Sequence, residues 1–163
     1  MATQQNTQQR RFIWKDLAFT TSSSMKASFR GLGGGVGKKK GGIEGTWSPP
    51  DEESKVTIHR DEKTGSLVGR ISWLKDSERV HQRDFRNPRR ELRDRTLLGL
   101  PILQNFREDG EHGNEGLIYD PNHGWSIKGK LQLNDKGDKL KVKGWMGIGP
   151  LKVSRSYTWS KIT

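Results

Sequence analysis

The sequence predicts an all-β fold, an antiparallel barrel of about eight strands with one short helix. Two observations predict it. From Gly45 onward, apolar and polar residues alternate with a period of two, and clusters of Asp, Asn, Gly and Pro separate the alternating runs. Alternation of this kind gives every strand one dry and one wet face, which antiparallel strands around a single core satisfy.

The alternating runs fill residues 45–163 in order. The first contains Val56 and Ile58 between polar neighbours, and the last leads to Trp159. A barrel of this size holds one small apolar ligand or fills with its own side chains. The positions that we expect to line the interior are Leu67, Trp73, Leu100, Ile118, Leu131, Val142 and Met146.

A charged insertion over residues 75–95 interrupts the alternation. Asn87 followed by Pro88 is typical of a helix N-cap and first helical position, and Leu92 offers an apolar contact one turn later. The pattern predicts a short helix over 88–95 that covers one mouth of the barrel.

Residues 1–44 form a basic tail with no periodicity. They hold eight Lys/Arg against two acids, and they are rich in Gly, Ser and Gln, so the tail cannot bury enough apolar surface to order itself. We expect it to be extended or disordered alone, and to act either as a retained partner-binding arm or as a leader. Its candidate contact residues are Arg10, Arg11, Phe12, Trp14, Lys38, Lys39 and Lys40.

The formal charge of +11 points to an anionic partner. Five lysines on two successive strands face outward and form a candidate docking surface for it: Lys128, Lys130, Lys139, Lys141 and Lys143. Solvated lysines that protect a sheet edge are the simpler explanation. Trp145 is the one aromatic residue among these lysines, so nucleic acid would bind without sequence specificity.

Catalytic and metal chemistry find little support in the sequence. The chain has no cysteine, which excludes disulfides, thiolate zinc sites and a cysteine nucleophile. The four histidines lack metal-ligand spacing, and no catalytic or dinucleotide-binding motif is present. We therefore expect no enzyme activity, no cofactor and no metal. No run of residues is long and apolar enough to span a bilayer as a helix.

Several motifs resemble the bacterial family known as domain of unknown function 2147. The resemblance covers residues 45–162 and implies a calycin or lipocalin-like barrel, whereas the basic tail and the lack of a secretory signal depart from the family. The motifs that carry it are Gly45-Thr46-Trp47, Gly69-Arg70-Ile71-Ser72-Trp73-Leu74, Asn87-Pro88, Leu92-Arg93-Asp94-Arg95, Leu98-Gly99-Leu100-Pro101-Ile102-Leu103, Gly116-Leu117-Ile118-Tyr119-Asp120-Pro121, Gly129-Lys130-Leu131, Leu140-Lys141-Val142-Lys143-Gly144 and Thr158-Trp159.

The resemblance also implies a structural pair at the closure of the barrel. Alternation places Arg155 on the apolar face of the last strand, where a charged group needs a partner. Lipocalin-like barrels lay such an arginine across the tryptophan of an N-terminal Gly-x-Trp, which here is Trp47.

These observations favour a non-enzymatic accessory subunit whose tail docks the barrel onto an acidic protein surface or a large assembly. The alternative is a carrier of a small apolar ligand inside the barrel. With no signal peptide recognised, we expect a cytosolic or organellar interior, although the compartment is not determined.

Overall fold

The barrel is a single sheet closed on itself. The computed structural model describes residues 42–107, 114–148 and 151–163. Within these residues, eight antiparallel strands run in sequence order around the barrel, and β1 pairs with β8 to close it. They are β1 (Gly45–Ser48), β2 (Ser54–Arg60), β3 (Leu67–Leu74), β4 (Pro101–Arg107), β5 (Asn114–Asp120), β6 (Trp125–Leu133), β7 (Lys139–Ile148) and β8 (Leu151–Ile162). The predicted eight-stranded barrel is confirmed.

The tryptophans of the first and last motifs, Trp47 and Trp159, lie where the barrel closes. Trp47 lies opposite Lys161 across the β1–β8 pair, and Trp159 lies opposite Leu140 across the β7–β8 pair. Both indoles are buried, and Nε1 of Trp47 donates a hydrogen bond of 2.8 Å to the carbonyl oxygen of Ile43. The buried N–H therefore has its partner.

Residues 42–44 pack with the barrel, although their composition groups them with the tail. Ile43 is 5% exposed and belongs to the hydrophobic core. Nζ of Lys161 donates to the carbonyl oxygen of Gly42 at 3.2 Å. A single apolar residue among glycines has no periodicity to reveal such a contact.

Side chains fill most of the interior. Five of the positions that the alternation assigns to it are buried in the hydrophobic core: Leu67, Leu100, Ile118, Leu131 and Val142. Gly129 allows β6 to approach this core closely, because a Cβ atom there would lie 2.3 Å from Cδ1 of Ile118. Met146, the sixth position, is half-buried.

A bulge in β3 reverses its alternation. Val56 pairs with Ile71 and Lys55 pairs with Trp73, so Ser72 is an extra residue with no partner in the ladder. Leu74 is consequently buried, whereas Trp73 is 41% exposed and has Nζ of Lys55 at 4.9 Å from its ring centre. The prediction that Trp73 lines the interior is wrong, because a strict period of two cannot anticipate an inserted residue.

The connection between β3 and β4, residues 75–100, is mostly irregular. It contains short 3₁₀ turns at Ser77–His81 and Arg90–Leu92, and the predicted helix over 88–95 does not form. The backbone N–H of Asp84 donates to the carbonyl oxygen of Arg95 at 2.9 Å, and that of Leu97 donates to Gln82 at 2.8 Å. These bonds join residues 82–84 to residues 95–97, so the part of the connection between them folds as a closed loop.

Candidate functional site

The inner face of the β7–β8 hairpin is incompletely covered at one end. Its buried residues Val142 and Trp159 identify the inward-facing set. Continuing along that face, Met146 lies opposite Val153 and Gly144 lies opposite Arg155. We call four half-buried inward-facing residues the open hairpin: Met146, Val153, Arg155 and Tyr157.

The short first strand explains why this face is open. Strand β8 has 12 residues but β1 has only four, and β1 pairs only with Ser160, Lys161 and Ile162. Among the described residues, the rest of β8 is paired on its β7 side alone. Inward-facing side chains on that stretch are therefore reachable at the side of the barrel.

The chemistry of the open hairpin is apolar with one cationic group. Met146 and Val153 are apolar, Tyr157 packs against the hydrophobic core, and Arg155 adds a guanidinium. A flexible methionine adapts its shape to different apolar partners. This set suits an apolar body that carries a polar or anionic end.

A buried polar cluster lies between the connection and the outer face of β5. The carboxylate of Asp84 is fully buried and accepts bonds from the Tyr119 hydroxyl at 2.6 Å, the Asn87 amide at 2.8 Å and the Arg95 guanidinium at 3.0 Å. Three donors satisfy the buried charge, as burial requires. We call these four residues the Asp84 cluster.

The environment of Tyr119 favours its neutral form. Burial raises the pKa of the Tyr119 hydroxyl above its ordinary value, and the hydrogen bond to the Asp84 carboxylate and the charge of that carboxylate raise it further. Tyr119 faces away from the barrel interior, because its neighbour Ile118 faces inward. It is buried because the connection covers it, so the cluster fastens the connection to the wall.

An adjoining Asp–His pair shapes the β5–β6 turn. Oδ2 of the nearly buried Asp120 lies 2.7 Å from Nδ1 of His123, and Oδ1 accepts from the Asn122 N–H at 2.9 Å. The His123 ring stacks on Trp125 with centroids 5.1 Å apart. Since Asp120 bonds within its own turn, this pair has the geometry of a turn former.

The Asp84 cluster joins residues that the sequence displays as separate motifs. Asn87, Arg95 and Tyr119 come from three of them, and the sequence alone gives no reason to place them together. Asp84 itself was missed, because it sits in a run of charged residues with no periodicity.

The predicted lysine surface is present on the outer face of β6 and β7. Lys130 lies directly opposite Lys143, and Glu115 on β5 lies opposite Lys130 and supplies a counter-charge. Lys128, Lys139 and Lys141 are exposed, and the ammonium of Lys139 donates to the Ser160 hydroxyl at 2.8 Å. A groove of about 360 Å³ runs beside this surface, lined by Glu115, Lys130, Lys143, Trp145 and Ser154.

The cation over Trp47 is Lys161 and not Arg155. Nζ of Lys161 lies 5.2 Å from the ring centre of Trp47, directly opposite on the neighbouring strand. Arg155 lies six residues earlier on β8, opposite Gly144. At about 3.3 Å per residue it is too distant to cover Trp47. A cation therefore does lie over Trp47 where the barrel closes, but it is the ammonium of Lys161.

The predicted tail contacts Arg10, Arg11, Phe12, Trp14, Lys38, Lys39 and Lys40 lie outside the described residues. In the part of the chain that is described, no group of three or more His, Asp or Glu residues is placed to hold a metal ion. That part also contains no helix with the length and apolarity to cross a membrane.

Comparisons with known proteins agree with this architecture. The profile of a family described as "Uncharacterized protein conserved in bacteria (DUF2147)" matches residues 45–161. Protein HP1028 from the human pathogen Helicobacter pylori, which belongs to the lipocalin family, superimposes with a TM-score of 0.63 at 17% identity, covering 75% of this chain and 84% of that one. A search among curated proteins finds no significant match. The structural likeness establishes a lipocalin-like fold.

Proposed function

Since the chain belongs to the DUF2147 family of bacterial proteins and folds as a lipocalin-like barrel, we propose that it binds a small apolar ligand without catalysing a reaction. The observation that carries this proposal is the open hairpin. In the described barrel most inward-facing large side chains are buried, with Ile127 and Leu133 on β6 partly buried. At the open hairpin four inward-facing side chains in succession stay half-buried, beside a stretch of β8 that β1 does not cover.

The ligand that fits best is elongated and apolar with an anionic end. Met146, Val153 and Tyr157 offer the apolar contacts, and Arg155 offers a charge-assisted hydrogen bond. Side chains fill the deeper interior, so the ligand would lie along the hairpin and not in the centre of the barrel.

The structure of the described residues supports ligand binding better than the accessory-subunit role that the charge led us to expect. That role depended on the basic tail, which lies outside them, whereas the lipocalin-like fold favours the alternative that the sequence left open.

Binding of apolar dyes to the full-length protein tests the proposal. We expect the anionic dye 1-anilinonaphthalene-8-sulfonate to bind, and Val153→Trp to weaken binding at least tenfold by filling the open hairpin. Thr158→Trp is the matched control, because Thr158 is an exposed, outward-facing residue on the same strand. Equal loss in both variants, or no dye binding by the unmodified protein, would refute the proposal.

The role of Arg155 is tested with a second dye. Arg155→Met should weaken binding of the anionic dye at least about tenfold, since a hydrogen bond to a charged group contributes roughly 1.5–3 kcal/mol. Binding of the neutral dye N-phenyl-1-naphthylamine should change little. A similar loss for both dyes would mean that Arg155 supports the shape of the site and does not recognise charge.

A further inference from the structure

Exposed aromatic residues and arginines gather at one end of the barrel. Phe85 in the connection is 64% exposed, and Trp125 at the start of β6 is 39% exposed. They are distant in sequence, but the chain segments that carry them touch, because a Cβ atom at Gly124 would lie 1.8 Å from the carbonyl oxygen of Arg86. Gly124 lies between His123 and Trp125, so the aromatic residues belong to one surface.

Three arginines of this surface are available to a partner. Arg86, Arg89 and Arg90 are exposed, and no acid occurs between residues 85 and 90. Nothing in the described part of the chain forms an ion pair or hydrogen bond with their guanidinium groups. Two other arginines of the connection do form ion pairs: Arg83 with Asp94 at 2.6 Å and Arg95 with Asp84 at 3.0 Å.

We propose that this surface, formed by Phe85, Arg86, Arg89, Arg90, His123 and Trp125 and here called the aromatic–arginine patch, docks the protein onto an anionic phospholipid membrane. Phe85 has no polar side-chain atom, and together with Trp125 it gives this surface an exposed apolar area that suits an apolar partner. Tryptophan is favoured at the boundary between headgroups and acyl chains, and arginines near an anionic leaflet are attracted to its phosphates.

Single-stranded nucleic acid fits the patch less well. It binds in a charged groove where successive bases stack on free aromatic faces. Here His123 already stacks on Trp125, so neither ring has both faces free for a base.

The docking surface lies at the same end of the barrel as the start of β8. In an up-and-down barrel the β3–β4, β5–β6 and β7–β8 connections share one end, and the first two of them carry the patch. The open hairpin extends toward that end. The membrane proposal goes beyond ligand binding and holds whether or not the barrel carries a ligand.

Co-sedimentation of the full-length protein with vesicles tests the proposal. The vesicles contain phosphatidylcholine with or without an equal share of phosphatidylglycerol. We expect binding to the anionic vesicles that weakens with salt. Replacing Arg86, Arg89 and Arg90 together by Ser should weaken it by about a hundredfold, at roughly fivefold for each arginine.

The matched control replaces Lys139, Lys141 and Lys143 by Ser, which removes the same charge from the outer face of β7, outside the patch. This variant should lose much less affinity than the arginine variant. A second variant, Phe85→Ser, keeps the charge and should weaken binding about tenfold because the apolar contact is lost. All the substituted residues are exposed, and circular dichroism checks that each variant folds.

Equal losses in the arginine and lysine variants would overturn the proposal, because binding would then follow net charge alone. Unchanged binding by Phe85→Ser would overturn it as well. Binding of a single-stranded RNA that the arginine variant loses, without binding of vesicles, would assign the patch to nucleic acid instead.

Discussion

Asp84 is the residue on which the position of the connection depends. Its carboxylate is fully buried and accepts from Tyr119, Asn87 and Arg95, residues that lie 35, 3 and 11 positions away in the chain. A buried charge is tolerated when several donors surround it, and its removal leaves those donors without an acceptor. The cluster is therefore sensitive to loss of its acceptor.

Asp84→Ala should lower the free energy of unfolding by about 3 kcal/mol, because Tyr119 and Asn87 lose a buried acceptor. Asp94→Ala is the matched control. Asp94 also pairs with an arginine, at 2.6 Å, but its side chain is 84% exposed, so its loss should cost less than about 1 kcal/mol. Urea unfolding measures both values, and equal losses would contradict a special role of the buried carboxylate.

The raised pKa of Tyr119 predicts that the free energy of unfolding depends on pH in the alkaline range. Folding raises its pKa through burial and Asp84, so its contribution to stability is fully present below the unfolded pKa of about 10 and is lost as the pH rises through the folded value. The free energy of unfolding should fall above about pH 10, by at most about 1.4 kcal/mol per pH unit from this group. In Tyr119→Phe this part of the fall should vanish.

Absorbance of tyrosinate during an alkaline titration measures the same effect directly. The chain has two tyrosines. We expect one of them to ionise late, and the late transition to be missing from Tyr119→Phe. A late transition that persists in this variant would contradict the raised pKa of Tyr119.

At the scale of elements, the contact between the connection and the β5–β6 turn depends on one glycine. Gly124 has a φ of +73°, and its missing side chain leaves room for the Arg86 backbone. The left-handed conformation and the close approach both exclude a Cβ atom. The aromatic–arginine patch is built on this contact.

Gly124→Ala should therefore destabilise the protein by more than about 3 kcal/mol, since a backbone clash adds to the conformational cost. Gly65→Ala separates the two contributions. Gly65 has a similar φ of +68°, but no atom lies within 4 Å of its Cβ position, so a cost of about 1–2 kcal/mol is expected. Thermal unfolding compares them, and similar values would mean that the connection moves away easily.

The strands and the connection also show which features local sequence patterns predict and which they do not. Val56, Ile58, Leu131 and Val142 are buried as their alternation predicts, because each lies in a regular stretch of a strand with one wet face. Trp73 is exposed because the bulge at Ser72 shifts the phase of β3. The helix over 88–95 is replaced by a loop, whose flanking residues 82–84 and 95–97 are joined by backbone hydrogen bonds that a local capping signal does not reveal.

At the scale of the whole molecule, the barrel closes through a short strand and the residues before it. Ile43 is buried in the core and its carbonyl oxygen accepts the Trp47 indole N–H at 2.8 Å. Strand β1 makes only three pairs with β8, so this additional contact supports the closure.

A truncated chain that starts at Gly45 should be less stable than one that starts at Gly42, by about 3 kcal/mol. The loss combines the burial of one isoleucine with one buried hydrogen bond. The chain from Gly42 is the matched control, since neither protein contains the basic tail. The midpoints of urea unfolding measure the difference, and coincident midpoints would show that Ile43 does not support the closure.

The amino-acid sequence by itself determined the antiparallel barrel, most of its core and the lysines on its outer face. Alternation and turn residues are local properties, and an up-and-down barrel joins neighbours in sequence, so local patterns suffice for it. The motifs with Asn87, Arg95 and Tyr119 were visible, but their common partner Asp84 was not.

Only the tertiary structure decided where Trp73 points, which cation covers Trp47, how the connection folds and where the inner face stays open. Each of these depends on residues far apart in the chain or on a register shift that no period records. The open hairpin arises from the difference in length between β1 and β8. The aromatic–arginine patch arises from the contact between the β3–β4 connection and the β5–β6 turn. Both candidate sites therefore come from tertiary contacts and not from local sequence.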